Sequence, residues 1–166
     1  MHYRHCSLQT GVSHMLLRIA PKILVVDDHD IFRGALTKAL RLSNYRVAQA
    51  DNGPTCLFVA RQEQPDLILL DLVMSGQDGF TTCRQLRTDP TTSHIPILAL
   101  SAWSEPHVKA RILAAGANAF LEKPFSTAEL EERIEDLLQK RSPASFPLRL
   151  GQAMTPSPIS VSAQSA

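Results

Sequence analysis

The sequence is short of the features that mark membrane proteins, disulfide-rich proteins and nucleic-acid-binding proteins. No apolar run reaches the roughly eighteen residues of a membrane span, since Asp71 interrupts one such run and Pro21 another. The three cysteines form no Cys-x-x-Cys pair, and their odd number argues against a disulfide framework. The net charge of +1 offers no basic surplus for direct nucleic acid binding. We therefore expect a soluble, cytoplasmic protein.

Charge and composition divide the chain into one central domain and two ends. All 16 acidic residues lie between positions 22 and 140, whereas four of the 17 basic residues lie outside that range. Residues 1–21 show no periodicity and are expected to be a flexible leader. Residues 141–166 are rich in Ser and Pro with few apolar residues, which predicts a disordered tail. One folded domain over 22–140 remains.

Short apolar runs alternate with segments of helical period throughout this central domain. Residues 23–26, 67–70 and 95–100 form nearly continuous apolar runs, which favour strands that are buried on both faces. Weaker strands are predicted at 47–50 and 119–121. Five strands alternating with five helices predict an α/β fold, in which a doubly wound five-stranded parallel sheet lies between two helical layers.

Apolar residues at intervals of three and four predict which face of each helix is buried. For the first helix the predicted buried residues are Ile31, Ala35, Ala39 and Leu42. For the fourth they are Val108, Ile112 and Ala115, and for the fifth Leu130, Ile134, Leu137 and Leu138. Ser126 and Glu129 form a capping box that starts the fifth helix. The predicted start signals of the second, third and fourth helices are Asn52, Asp78 and Ser104.

Polar side chains stand at the ends of four of the five predicted strands. Asp27 and Asp28 follow the first strand, Asp71 ends the third, Ser101 ends the fourth and Lys123 follows the fifth. In a doubly wound sheet these carboxyl ends converge on one cleft. Three carboxylates held close together repel one another unless a cation lies among them. The sequence therefore predicts a site for a hard divalent cation with oxygen ligands, Mg²⁺ above all.

The other two polar groups extend this site towards phosphate chemistry. Lys123 and Ser101 would supply positive charge and a hydrogen bond to an incoming phosphoryl group. A carboxylate neutralised by the metal can then attack phosphorus as a nucleophile. Taken singly, each residue has an ordinary structural explanation, because an aspartate after a strand commonly caps the next helix. Their joint position at the strand ends favours the functional interpretation.

Four blocks of sequence resemble the receiver domain of bacterial two-component response regulators. They are KILVVDDHD at 22–30, DLVMSGQDG at 71–79, HIPILALSA at 94–102 and GANAFLEKPF at 116–125. The resemblance covers about residues 22 to 140. It implies the flavodoxin-like (βα)5 receiver fold and a signalling protein that catalyses only its own phosphorylation and dephosphorylation, rather than an enzyme.

The resemblance also implies a role for each residue of the site. Asp71 would accept a phosphoryl group from a phosphohistidine of a sensor histidine kinase or a histidine phosphotransfer protein. Asp28, Asp71 and the backbone carbonyl of Val73 would bind Mg²⁺, and Asp27 would act through a bound water. Lys123 would contact the phosphoryl group, and its peptide bond to Pro124 would be cis.

A conformational switch is implied as well. Ser101 would move towards the phosphoryl group and Phe120 would turn inward, with an ordinary core role for Phe120 as the less favoured alternative. The changed surface would contact a downstream protein target, and the last two helices could support a homodimer. Val73 and Trp103 would flank the route of the hydrolytic water, which predicts slow dephosphorylation, with contact to a partner protein as the alternative role of Trp103. Ser75 stands where the family most often has proline, and is expected to loosen the loop without touching a chemical group.

Two other functions remain open at the level of sequence. An Mg²⁺-dependent phosphohydrolase would also use an aspartate nucleophile, but haloacid-type enzymes carry a DxD motif after the first strand, whereas Asp71 ends the third. A flavodoxin-like cofactor binder would need a phosphate-binding loop where Asp27 and Asp28 stand. No second apolar-periodic region follows Arg141, so a stand-alone receiver domain is the favoured expectation.

Overall fold

Strands and helices alternate strictly in the computed structural model, which describes residues 20–103 and 105–140. The predicted leader and tail lie outside the described residues. The five strands are β1 (Lys22–Val26), β2 (Arg46–Ala50), β3 (Leu67–Asp71), β4 (Ile97–Ser101) and β5 (Ala119–Glu122). The five helices are α1 (Asp30–Leu42), α2 (Gly53–Glu63), α3 (Gly79–Thr88), α4 (Pro106–Ala114) and α5 (Thr127–Lys140).

The strands form one parallel sheet in the order β2-β1-β3-β4-β5. Every residue of β3 and β4 is buried, as expected for strands that are covered by helices on both faces. The chain order reverses between β1 and β3, which is where a doubly wound sheet opens a cleft at its carboxyl edge. The predicted fold class is confirmed.

Successive strand residues point to opposite faces of the sheet and so build two apolar cores. Ile23 and Val25 face α1 and α5, whereas Leu24 and Val26 face α2, α3 and α4. The buried faces predicted for α4 and α5 are confirmed, since Val108, Ile112 and Ile134 are buried. Over the described residues no helix is both long and apolar enough to cross a lipid bilayer.

The predicted buried face of α1 is wrong. Ile31 is 79% exposed and Leu42 is 81% exposed, and Ala35 also faces solvent. The residues that pack against the sheet are instead Phe32, Leu36 and Leu40. Both sets repeat at helical spacing, but the second contains larger side chains and so buries more apolar surface.

Helix starts follow the predicted caps in most cases. The side chain of Asn52 accepts a hydrogen bond from the Thr55 N–H at 2.8 Å, and Ser126 and Glu129 form the expected capping box. Helix α4 begins after Glu105, whose side chain makes no capping hydrogen bond. Ser104, which was expected to start this helix, lies outside the described residues.

Candidate functional site

Three aspartates meet at the carboxyl edge of the sheet. Asp27 and Asp28 follow β1, and Asp71 is the last residue of β3. One carboxylate oxygen of each lies within 4.8 Å of the others. Asp27 and Asp71 are only 1% and 6% exposed, while Asp28 is partly exposed. The local sequence places them here because parallel strands β1 and β3 are direct neighbours in the sheet.

Lys123 joins two of these carboxylates. Its Nζ donates to Asp27 Oδ2 at 2.9 Å and to Asp71 Oδ2 at 3.0 Å. The backbone N–H of Lys123 donates to the Ser101 carbonyl at 2.7 Å, and its peptide bond to Pro124 is cis. The Lys123 ammonium group therefore bridges the ends of β1 and β3, and the loop after β5 that carries it is hydrogen-bonded to the end of β4.

Backbone N–H groups complete the hydrogen bonding of the two buried aspartates. Asp27 Oδ1 accepts from the His29 N–H at 2.9 Å, and Asp71 Oδ1 accepts from the Val73 N–H at 3.3 Å. Burial nevertheless raises the pKa of Asp71, because loss of hydration outweighs the attraction of Lys123, and the negative charge of Asp27 adds to the increase. An additional positive charge near Asp71 would therefore stabilise its ionised carboxylate.

Asp28 is held by Ser75 in the loop between β3 and α3. The Ser75 N–H donates to Asp28 Oδ2 at 2.6 Å. Hydrogen bonds from the backbone and side chain of Ser75 lower the pKa of Asp28, because they stabilise its charged form. The expectation that Ser75 touches no chemical group is therefore wrong.

An aromatic residue that sequence reasoning missed lies against the bridging lysine. The Lys123 Nζ lies 4.1 Å from the centroid of the Phe32 ring, within the range of a cation–π interaction. Phe32 also makes an edge-on contact with Phe125, with ring centroids 6.2 Å apart. The spacing of residues gave no signal for this contact, because it depends on which face of α1 packs against the sheet.

The remaining predicted residues differ in how deeply they are buried. Ser101 is fully buried at the end of β4, and its Oγ accepts from the Trp103 N–H at 2.9 Å. Val73 and Trp103 are 43% and 45% exposed. Phe120 is partly buried and packs against the core on the α2, α3 and α4 side. Its position on β5 separates it from the three carboxylates, which follow β1 and β3.

The chemistry of the donor set fits a divalent cation. Carboxylate oxygens are ligands that Mg²⁺ prefers, and the ion usually keeps several waters in its coordination shell. Asp27, Asp28 and Asp71 carry three negative charges within a small volume, and Lys123 offsets one of them. The excess negative charge is what a divalent cation would balance.

Comparison with known proteins identifies a family and several relatives that this chain resembles. The family model described as the response regulator receiver domain matches residues 23–135. The response regulator PleD of Caulobacter vibrioides is 41% identical over 119 residues, which are 72% of this chain and 26% of that protein. The chain spans between about a quarter and a half of the length of the first curated relatives that it matches.

Solved structures match the fold over almost their whole length. The receiver domain of the Pseudomonas aeruginosa sensor histidine kinase PA1611, with a magnesium ion coordinated in its active site cleft, superposes with a TM-score of 0.68 at 29% identity. The match covers 72% of this chain and 98% of that one. The chemotaxis protein CheY4 of Vibrio cholerae gives a TM-score of 0.68 at 29% identity, covering 71% and 98% of the two chains.

Proposed function

The chain belongs to the response regulator receiver domain family of two-component systems, and within it we propose that Asp71 is the residue that accepts the phosphoryl group. The observation that carries this assignment is the buried Asp71 carboxylate, bridged by Lys123 to Asp27. Asp71 stands at the end of β3, and Asp28 lies beside it. The donor that we propose is a phosphohistidine of a sensor histidine kinase or a histidine phosphotransfer protein.

Transfer requires an aspartate that can approach an anionic phosphoryl group. One oxygen of Asp71 forms the new O–P bond while the P–N bond to the donor imidazole breaks, and the imidazole leaves with a proton from solvent. The Lys123 Nζ lies 3.0 Å from Asp71 Oδ2, so the ammonium can form an ion pair with the phosphoryl group once it has been transferred to Asp71. The burial of Asp71 strengthens this attraction, because electrostatic interactions grow where water is excluded.

Metal binding is the second part of the proposal. Asp28, Asp71 and the Val73 carbonyl are the proposed ligands of Mg²⁺, with Asp27 acting through a bound water. When bound, the cation offsets the negative charge on the carboxylate and on the incoming phosphoryl group. The convergence of the three carboxylates within 4.8 Å supports this assignment.

The output of the domain is proposed to be a conformational switch that a protein partner reads. The Ser101 hydroxyl would leave its hydrogen bond with the Trp103 N–H and turn to the phosphoryl group. Phe120, half-buried on the neighbouring strand, would turn inward into the vacated space. The altered surface of α4, β5 and α5 is the proposed contact for a downstream protein or for a second copy of the chain.

Two exposed apolar side chains are proposed to lengthen the phosphorylated state. Val73 and Trp103 each lie two residues beyond a site residue, Asp71 and Ser101 respectively, and both are partly exposed, which supports a proposed position at the rim of the cleft. Bulky apolar groups there would exclude the attacking water. Replacing Trp103 with alanine should shorten the lifetime of the phosphorylated protein in Mg²⁺, and an unchanged lifetime would contradict this role.

Phosphorylation with a small donor tests the central assignment. We expect acetyl phosphate and Mg²⁺ to add one phosphoryl group to the intact protein, located at Asp71 by peptide mass spectrometry. Asp71→Asn should abolish labelling, whereas Asp78→Asn, in the same segment, should label normally because asparagine is an equally good helix cap. Labelling of Asp71→Asn would refute the assignment, and so would hydrolysis of acetyl phosphate with no phosphorylated protein detected at any time.

A further inference from the structure

A hydrogen bond from a backbone N–H joins the two loops that carry the proposed metal ligands. Asp28 lies in the loop after β1, and Ser75 lies in the loop after β3, 47 residues away in sequence. The Ser75 N–H donates to Asp28 Oδ2 at 2.6 Å. Val73, whose carbonyl is a proposed ligand, is two residues before Ser75. The bond therefore connects one ligand side chain to the segment that supplies another ligand.

We propose that Ser75 is a positioning residue for Mg²⁺, which fixes the Asp28 carboxylate and holds the Val73 loop against it before the cation binds. This inference rests on the proposed function, because it assumes that Asp28 and the Val73 carbonyl are ligands. Ser75 itself need not touch the metal. Its contribution is to restrict the motion of the two loops in the metal-free protein, which lowers the entropy cost of binding Mg²⁺.

Asp28 is the carboxylate that most needs such a contact. Asp27 and Asp71 are buried and are held by Lys123. Among the ion pairs of the described residues, Lys123 reaches these two aspartates and not Asp28. Asp28 is also the most exposed of the three, so its side chain has the greatest freedom to lose. The Ser75 hydrogen bond restricts that freedom in advance.

The hydrogen bond leaves Asp28 able to bind a cation. An ionised carboxylate has two oxygens with about four acceptor positions, and the Ser75 N–H uses one of them. A proline at position 75 would have no N–H and could not make this contact. The contact to the metal site therefore requires a residue other than proline at position 75.

Mg²⁺ titration of the full 166-residue chain tests the proposal. Trp103 is the one tryptophan of the chain. Its backbone N–H donates to the Ser101 hydroxyl in the site, so its fluorescence is a suitable reporter. We compare Ser75→Pro, which removes the N–H and the hydroxyl, with Ser75→Ala, which keeps the N–H. We expect the Kd for Mg²⁺ to rise about tenfold in Ser75→Pro, and by about threefold or less in Ser75→Ala.

A second measurement follows the wild-type N–H itself and so does not depend on whether Ser75→Pro folds. In amide NMR the Ser75 signal should exchange slowly with solvent both before and after Mg²⁺ is added. Equal or tighter Mg²⁺ binding by a folded Ser75→Pro, or rapid exchange of the wild-type amide, would overturn the inference. Failure of the wild-type protein to bind Mg²⁺ at all would instead overturn the proposed metal site.

Discussion

Replacing Gly79 with alanine tests how closely the strand that ends at Asp71 is packed against the helix behind it. Gly79 is the first residue of α3. A Cβ atom at this position would lie 2.4 Å from the backbone oxygen of Asp71 and 2.7 Å from the Leu72 Cα. Real Cβ atoms essentially never approach other atoms closer than 3.0 Å. Both obstacles are backbone atoms, so no side-chain rotation can relieve the clash.

The cost of the substitution follows from this geometry. Overpacking that forces backbone to move costs about 3 kcal/mol, and the better helix propensity of alanine returns about 1 kcal/mol. We therefore expect Gly79→Ala to lower the free energy of unfolding by about 2 kcal/mol, or the Tm by about 8 °C for a domain of this size. Because the strand end carries Asp71, labelling by acetyl phosphate should also slow.

A second glycine provides the matched control. Gly34 lies in α1, and a Cβ added there would meet no atom within 4 Å. Gly34→Ala should therefore raise the Tm by about 2 to 4 °C, since alanine is the better helix former. Thermal unfolding followed by circular dichroism measures both variants. Equal effects of the two substitutions, or a Gly79→Ala protein as stable as wild type, would refute the steric argument.

Three further predictions concern charge at and around the site. Burial raises the pKa of Asp71 above its ordinary 3.8. The protonated form of Asp71 therefore favours folding below pH 3.8, and this contribution to the free energy of unfolding is lost as the pH rises through the folded-state pKa. Asp71→Asn should thus be more stable than wild type at pH 7 by about 1 kcal/mol, and urea unfolding across pH should show the difference shrink in acid. Phe32→Leu should slow labelling of Asp71 about fivefold by removing the ring beside Lys123, whereas Phe32→Tyr should retain the wild-type rate. Asp78→Ala should cost about 1 kcal/mol in urea unfolding by removing the cap of α3, while Asp78→Asn should not.

Residues at strand ends were predictable because the sheet itself brings them together. The buried runs that become β1 and β3 fixed the positions of Asp28 and Asp71 to within a residue, and parallel pairing then required their convergence. Periodicity did not predict the buried face of α1, because two apolar stripes share one period. The large side chains of Phe32 and Leu36 determine which face of α1 is buried. The buried face therefore depends on side-chain volume rather than on spacing.

Contacts made by backbone groups were beyond the reach of residue-type reasoning. The hydrogen bond between Ser75 and Asp28 uses an N–H that almost any residue would carry, so the identity of Ser75 gave no positive signal. Only the absence of proline made it possible. The position of Phe32 beside Lys123 likewise depends on how α1 is rotated about its own axis, which requires the packed structure.

The charge balance of the site predicts that a bound cation would stabilise the protein. Three aspartates face one lysine, and the nearby Arg33 is already paired with Asp30. Arg33 also donates to the Asp27 backbone carbonyl at 2.6 Å, so neither of these contacts is to a carboxylate of the cluster. Two negative charges are left without a compensating group in this cluster. A buried, charged Asp71 destabilises the protein unless a cation balances it. Binding of a divalent cation should therefore raise the Tm of wild type more than that of Asp71→Asn.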